Sequence, residues 1–242
     1  MKNQITDLDQ LINELLEPLA AYPKGKIFDG FRLADYLGTP RDVYKIPTPE
    51  VRKIARYFLR RHPNLSTEEV ASLLTKLYRG ETYTERQLAS CLLGFLNSFR
   101  HSSAPALLES WLDHLVGWCE IDNLCQSNFS AVEVLANWPA WEKLFGRLVL
   151  SENISHRRAS LVLLTRAVRE SDDRRLAKIG FANIEQIEAE RDILITKAVS
   201  WLLRELITHH RDRVTAYLKN HQGTLPKIAL REVTRKLTTG KK

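Results

Sequence analysis

Apolar residues recur at three- and four-residue intervals through almost every segment of the chain, and the alternating β-branched pattern of half-buried strands is absent. This pattern predicts an all-α protein. Helix starts stand out where a polar cap or an early proline precedes an apolar period, as at Thr48-Pro49-Glu50, Ser66-Thr67-Glu68-Glu69 and Asn137-Trp138-Pro139. Roughly ten to twelve helices of ordinary length fit the sequence.

A looser pattern lies over the first: a basic residue, then alanine, then leucine-rich turns. It occurs at Arg86-Gln87-Leu88-Ala89, Arg157-Arg158-Ala159, Lys197-Ala198 and Lys227-Ile228-Ala229. From Arg157 onward the copies are about 30–40 residues apart, the spacing of helical-pair repeats of the HEAT or armadillo kind. The small alanine lets neighbouring helices approach closely, and a basic residue at the same turn of successive helices would line one face. The expectation is a curved helical-repeat solenoid with a basic concave face, an irregular helical bundle being the competing arrangement. One domain is expected over 1–242, with 1–30 as an N-terminal helical cap and 238–242 as a disordered tail.

At 242 residues and 44% hydrophobic the chain can bury a sizeable core. Cys91, Cys119 and Cys125 lie in apolar helical stretches without CxxC or Cys/His spacing, so they are expected to be buried, reduced thiols and no metal site is expected. Asp7, Asp9 and Glu14 interrupt the apolar positions of the first sixteen residues, which therefore lack signal-peptide charge order, and no later run is of membrane-spanning length. The expectation is a cytoplasmic, monomeric protein with no membrane contact and no cofactor.

Charge changes the picture through its distribution. The net charge of +7 is modest, but residues 197–242 hold 11 basic against 3 acidic side chains, whereas the rest of the chain is nearly balanced. Most of this excess falls within helical patterns, so it describes a structured basic face, the usual footprint of nucleic-acid binding.

Three constellations could carry chemistry. Trp118 and Asp122 are four residues apart, hence on one helix face. Alone, they read more readily as a core indole beside a capping or solvated carboxylate. Trp201 shares a face with Lys197 and is followed at three residues by Arg204, an arrangement in which an aromatic can stack on sugar or base while cations hold phosphate. Arg157-Arg158 offers a third cationic element, at least one member of which must point away from the buried stripe. His209-His210 are expected to close the helix after Trp201, and Glu85-Arg86 and Arg204-Glu205 to be structural ion pairs, with phosphate as an alternative partner for Arg204.

The stretches Tyr44-Lys45-Ile46-Pro47-Thr48-Pro49-Glu50-Val51-Arg52, Arg157-Arg158-Ala159, Lys197 to Glu205 and Leu225-Pro226-Lys227-Ile228-Ala229-Leu230-Arg231 resemble the bacterial DNA alkylation repair enzymes, HEAT-like alkylpurine DNA glycosylases of the AlkD type. The resemblance runs from about Phe31 to Leu237, and Lys197 to Glu205 is its most specific part. It implies an active site of Trp118, Asp122, Arg158 and Trp201, with Tyr36 lining the cleft. Lys197, Arg204, Arg157, Lys227 and Arg231 would contact DNA. Lys45 and Ser200 depart from the family, both standing where glycine is common.

The residue types suit such a reaction. A purine alkylated at N3 or N7 is already cationic and leaves neutral, so no strong general acid is needed. What needs stabilising is the cationic sugar and the water that captures it. The Asp122 carboxylate can do this electrostatically, and the indole faces favour adjacent positive charge. The expected activity is hydrolysis of the N-glycosidic bond of alkylated purines in double-stranded DNA. The rivals are a catalytically silent HEAT-repeat protein that binds DNA or marks lesions, and a protein-interaction solenoid, which would leave the basic residues 197–242 unexplained.

Overall fold

The computed structural model describes residues 7–25, 27–28, 31–32, 37–102 and 104–241. The chain divides into two compact units, Met1–Leu124 and Cys125–Lys242. Thirteen α-helices and one 3-10 helix account for nearly all regular structure among the described residues, so the chain is all-α as its periodicity predicts.

The first unit opens with α1 (Leu8–Leu16) and the 3-10 turn Glu17–Ala21. Two antiparallel pairs of two-residue strands follow, β1 (Lys24–Gly25) with β4 (Val43–Tyr44) and β2 (Ile27–Phe28) with β3 (Phe31–Arg32). The expected N-terminal cap is therefore only partly helical. Pro23 and Gly25 interrupt the helical period after the 3-10 turn. Then come α2 (Thr48–Arg61), α3 (Thr67–Tyr78), α4 (Tyr83–Phe95), α5 (Asn97–Ser102) and α6 (Ala104–Leu112). α7 (Trp118–Asn128) starts in this unit and ends in the second.

The second unit continues with α8 (Ala131–Ala136), α9 (Trp138–Val149), α10 (Ile154–Glu170), α11 (Arg174–Ile187), α12 (Ile193–Asn220) and α13 (Lys227–Thr239). The last helix runs two residues into the segment expected to be a tail and ends at Gly240, whose φ of 69° suits a glycine helix terminus.

Helix boundaries follow the polar signals. Ser66 caps α3 and exchanges hydrogen bonds with Glu69, and Thr82 does the same with Glu85 at the start of α4. Pro49 and Pro139 occupy the first turns of α2 and α9. The helix expected to close at His209-His210 does break there. His210 leaves helical geometry (φ −131°, ψ 39°), and the chain resumes its helix to Asn220.

Within each unit, hydrogen bonds between helices that are not sequence neighbours recur at similar sequence separations. Trp111 Nε1 donates to Thr75 Oγ1 across 36 residues, and Gln87 reaches Thr48 across 39. In the second unit Arg158 reaches the Leu194 carbonyl across 36 residues, and the Ala131 amide reaches Glu170 across 39. Such separations are of the length of one helical-pair repeat. Ala89, Ala159, Ala198 and Ala229, singled out from the sequence, are all fully buried. Their basic neighbours diverge: Arg86 and Arg158 turn inward, whereas Lys197 and Lys227 are exposed.

Candidate functional site

In the first unit the site residues lie on α7. Trp118 is the first residue of the helix and is 37% exposed, unusually open for an indole. Asp122, one turn later on the same face, is half-buried. Tyr36 lies outside the described residues.

The start of α7 is fixed from below. Glu120 lies about 200° around the helix from both Trp118 and Asp122, and so points inward. Its carboxylate accepts from Thr39 Oγ1 at 2.5 Å and from the Val116 amide at 2.9 Å. Arg41 and Arg86 each bring an Nε to 3.3 Å of it. Burial pushes the Arg86 guanidinium down to about 10, against the pull of Glu120, so it stays protonated at neutral pH. Arg86 thus pairs with Glu120, while its sequence neighbour Glu85 accepts from the Thr82 amide in the α4 capping box.

Two glycines complete this junction. Gly38 (φ 65°) and Gly117 (φ 79°) both have the left-handed backbone that L side chains rarely adopt. A Cβ on Gly117 would lie 1.4 Å from the Gly38 carbonyl oxygen, and one on Gly38 would lie 2.4 Å from Cδ1 of Trp118. The indole thus rests directly against the Gly38 backbone.

Of the three cysteines, Cys119 and Cys125 are buried and Cys91 is half-buried, so the expectation of full burial holds for two. Burial pushes the Cys119 thiol up, with Glu120 and Asp122 adding to the shift.

In the second unit Arg157 and Arg158 begin α10 side by side but face different surroundings. The Arg157 guanidinium grips both oxygens of Glu190, at 2.7 and 3.1 Å, and donates to the carbonyls of Ser151 and Glu152. Arg158 is only 4% exposed and donates to the Leu194 carbonyl in the first turn of α12.

On α12, Lys197 is exposed and Trp201, one turn on, is half-buried. The Trp201 indole N–H donates to Glu205 Oε1 at 3.0 Å, an acceptor supplied by the next turn. Arg204 pairs with Glu232 of α13 and donates to Ser200 Oγ at 2.8 Å, while Ser200 itself donates to Glu232 at 2.6 Å. The expected Arg204-Glu205 pair is thus replaced by two pairings with other partners. Ser200, a departure from the family pattern, gives α12 and α13 a hydroxyl link that glycine could not. Burial pushes the Glu232 carboxyl up, but Ser200 and Arg204 outweigh it and leave the group below its usual value. Lys227 and Arg231 are exposed one turn apart on α13.

Glu120 and Glu232 have no place in the constellations read from the sequence, and Glu205 enters there only as an ion-pair member. Its bond to the Trp201 indole was within reach, because it follows Trp201 by four residues. Glu120 carries a weaker signal, an acid on the helix face opposite Trp118 and Asp122. Among the described residues, no cluster of three or more His, Cys, Asp or Glu side chains could hold a metal ion. Nor is any helix among them long and apolar enough to cross a membrane.

Comparison with known proteins supplies the context for these residues. A solved structure, a "predicted DNA alkylation repair enzyme from Enterococcus faecalis", superposes with a TM-score of 0.73 at 17% identity, covering 86% of this chain and 93% of that one. At that identity the likeness concerns the fold alone. No curated protein matches the chain. Residues 20–237, nine-tenths of the sequence, match the DNA alkylation repair enzyme family, and the chain therefore belongs to that family.

Proposed function

We propose that this protein is a monofunctional DNA glycosylase that hydrolyses the N-glycosidic bond of cationic N3- and N7-alkylated purines in duplex DNA. Membership of the DNA alkylation repair family supports a repair role with DNA as partner. The observation that carries the finer reading is the pairing on α7 of an open indole at Trp118 with the half-buried Asp122 on the same face.

In this mechanism Asp122 stabilises the sugar as it becomes cationic and orients the water that captures it. Trp118 and Trp201 present aromatic faces that favour adjacent positive charge. Arg158 completes the active site, and Lys197, Lys227 and Arg231, with Tyr36, Arg157 and Arg204, contribute to DNA binding. The alkylated base departs neutral, so no group need protonate it. Neutral bases gain little from such a site and leave poorly, which gives selectivity for cationic lesions. The helical-pair separations in each unit support a HEAT-like scaffold for these residues.

The direct test is to incubate the protein with methylated duplex DNA and identify any released base by mass. Release of 3- or 7-methylpurine and retention of unmodified bases is the expected result. Binding without release would favour a silent lesion-binding protein.

A further inference from the structure

The proposed chemistry makes no use of Glu120, although it sits between Trp118 and Asp122 in the sequence. Its side chain is wholly buried. A buried carboxylate is costly unless it is paired and hydrogen-bonded, and removal of one partner from such a pair leaves an uncompensated charge. Here the pairing reaches three separate segments. Thr39 and Arg41 come from the loop before β4, Arg86 from α4 and the Val116 amide from the turn that leads into α7. Arg41 and Arg86 also both reach the His114 carbonyl, at 3.1 and 3.4 Å, which ties them to the same turn.

The loop held in this way is the one on which the indole rests. Gly38 immediately precedes Thr39, and its backbone supports the Trp118 ring so closely that no side chain fits between them. The Glu120 carboxylate therefore joins the support of the indole to the helix that bears both the indole and Asp122. We propose that Glu120 is a positioning residue, which clamps the Gly38–Arg41 loop to the first turn of α7 so that Trp118 and Asp122 meet the damaged nucleotide in one fixed orientation. This rests on the reading of Trp118 and Asp122 as active-site groups.

The test uses the full chain labelled with 5-fluorotryptophan, the Trp118 fluorine resonance being assigned by its loss in Trp118→Phe. Glu120→Gln keeps the size of the side chain and removes its charge. Gly38→Ala leaves every charge in place and pushes a methyl group into the indole. Both substitutions are expected to shift or broaden the Trp118 resonance. Both are also expected to lower the saturating single-turnover rate of base release about tenfold to a hundredfold, the scale of a small misplacement of reacting groups, with affinity for undamaged duplex within about twofold of wild type.

An unchanged Trp118 resonance in folded Glu120→Gln overturns the proposal, Gly38→Ala serving as the control that displaces the indole directly. So does a shifted resonance with a wild-type rate, because the orientation would then not matter to the reaction. If Glu120→Gln does not fold, Thr39→Val, which takes one donor from the carboxylate and leaves the indole untouched, carries the test in its place. Should the wild type release no base, the glycosylase reading fails, and the resonance still decides whether Glu120 seats Trp118.

Discussion

The indole N–H of Trp201 donates to the carboxylate of Glu205 at 3.0 Å, and Arg169 of α10 stands 3.8 Å from the other oxygen of the same carboxylate. Glu205 is 4% exposed, so its removal leaves the indole N–H without that acceptor in a largely buried setting. Glu205→Ala is expected to cost about 1–3 kcal/mol in urea unfolding, the range for a lost hydrogen-bond partner. Glu205→Gln retains an acceptor and should recover most of that loss. If Trp201 positions the damaged nucleotide, Glu205→Ala should also weaken binding to alkylated duplex in an anisotropy titration, and Glu205→Gln should do so less.

The basic residues of the second unit separate by burial into two groups with different expected effects. Lys197, Lys227 and Arg231 are exposed, so each alanine variant should shallow the log–log salt dependence of duplex binding by about one unit while leaving stability unchanged. Arg204 already faces Glu232, and its replacement should change that slope less. Arg158 is buried and bonded to a backbone carbonyl, so Arg158→Ala should lower stability by about 1–3 kcal/mol whatever its effect on DNA. Equal slopes for Lys197→Ala and wild type would remove Lys197 from the interface.

Acid stability should depend on Glu188. Burial pushes this carboxyl up, but hydrogen bonds from Thr224, His221 and Tyr217 outweigh it and hold the group below its usual value of 4.5. A carboxylate depressed in the folded state contributes stability that is complete above its unfolded value and is lost as pH falls through the folded one. Glu232 acts in the same direction. Unfolding free energy should therefore decline as pH drops below about 4.5, and Glu188→Gln should flatten that decline while lowering stability at neutral pH. An unaltered acid limb in Glu188→Gln would show that other carboxylates govern it.

The sequence disclosed the helices and their close contacts because both leave local signals. The cap at Ser66 and the four buried alanines lie within one or two turns of the patterns that announce them. Long-range polar partners leave no such mark. Arg86 and Arg158 look like surface cations in a basic-alanine motif, yet their partners Glu120 and Leu194 are 34 and 36 residues away. The break at His210 falls where a helix end was expected, although neither proline nor glycine accompanies it and a helical run resumes beyond it. In the candidate site, four-residue spacing disclosed that Trp118 and Asp122 share a helix face and the family resemblance gave them a role, whereas their foundation at Gly38 lies eighty residues before Trp118 in the chain.

Asp122 is assigned to the stabilisation of the sugar cation rather than to holding DNA. A carboxylate near the phosphate backbone opposes binding, so it accelerates the reaction only if it contributes more in the transition state than it costs in the ground state. Asp122→Asn preserves the shape of the side chain and removes its charge. Affinity for undamaged duplex should remain equal or rise slightly, and unfolding should be little changed. Release of a cationic purine should fall about a hundredfold or more, the scale for loss of one preorganised electrostatic group. Trp118→Ala, by contrast, should weaken binding and excision together, because an indole that stacks on the nucleotide acts in both states. The separation of the two effects is measured by single-turnover release at saturating protein alongside an equilibrium binding titration. A wild-type release rate in folded Asp122→Asn would remove this carboxylate from the mechanism, since no change in binding could then conceal its loss.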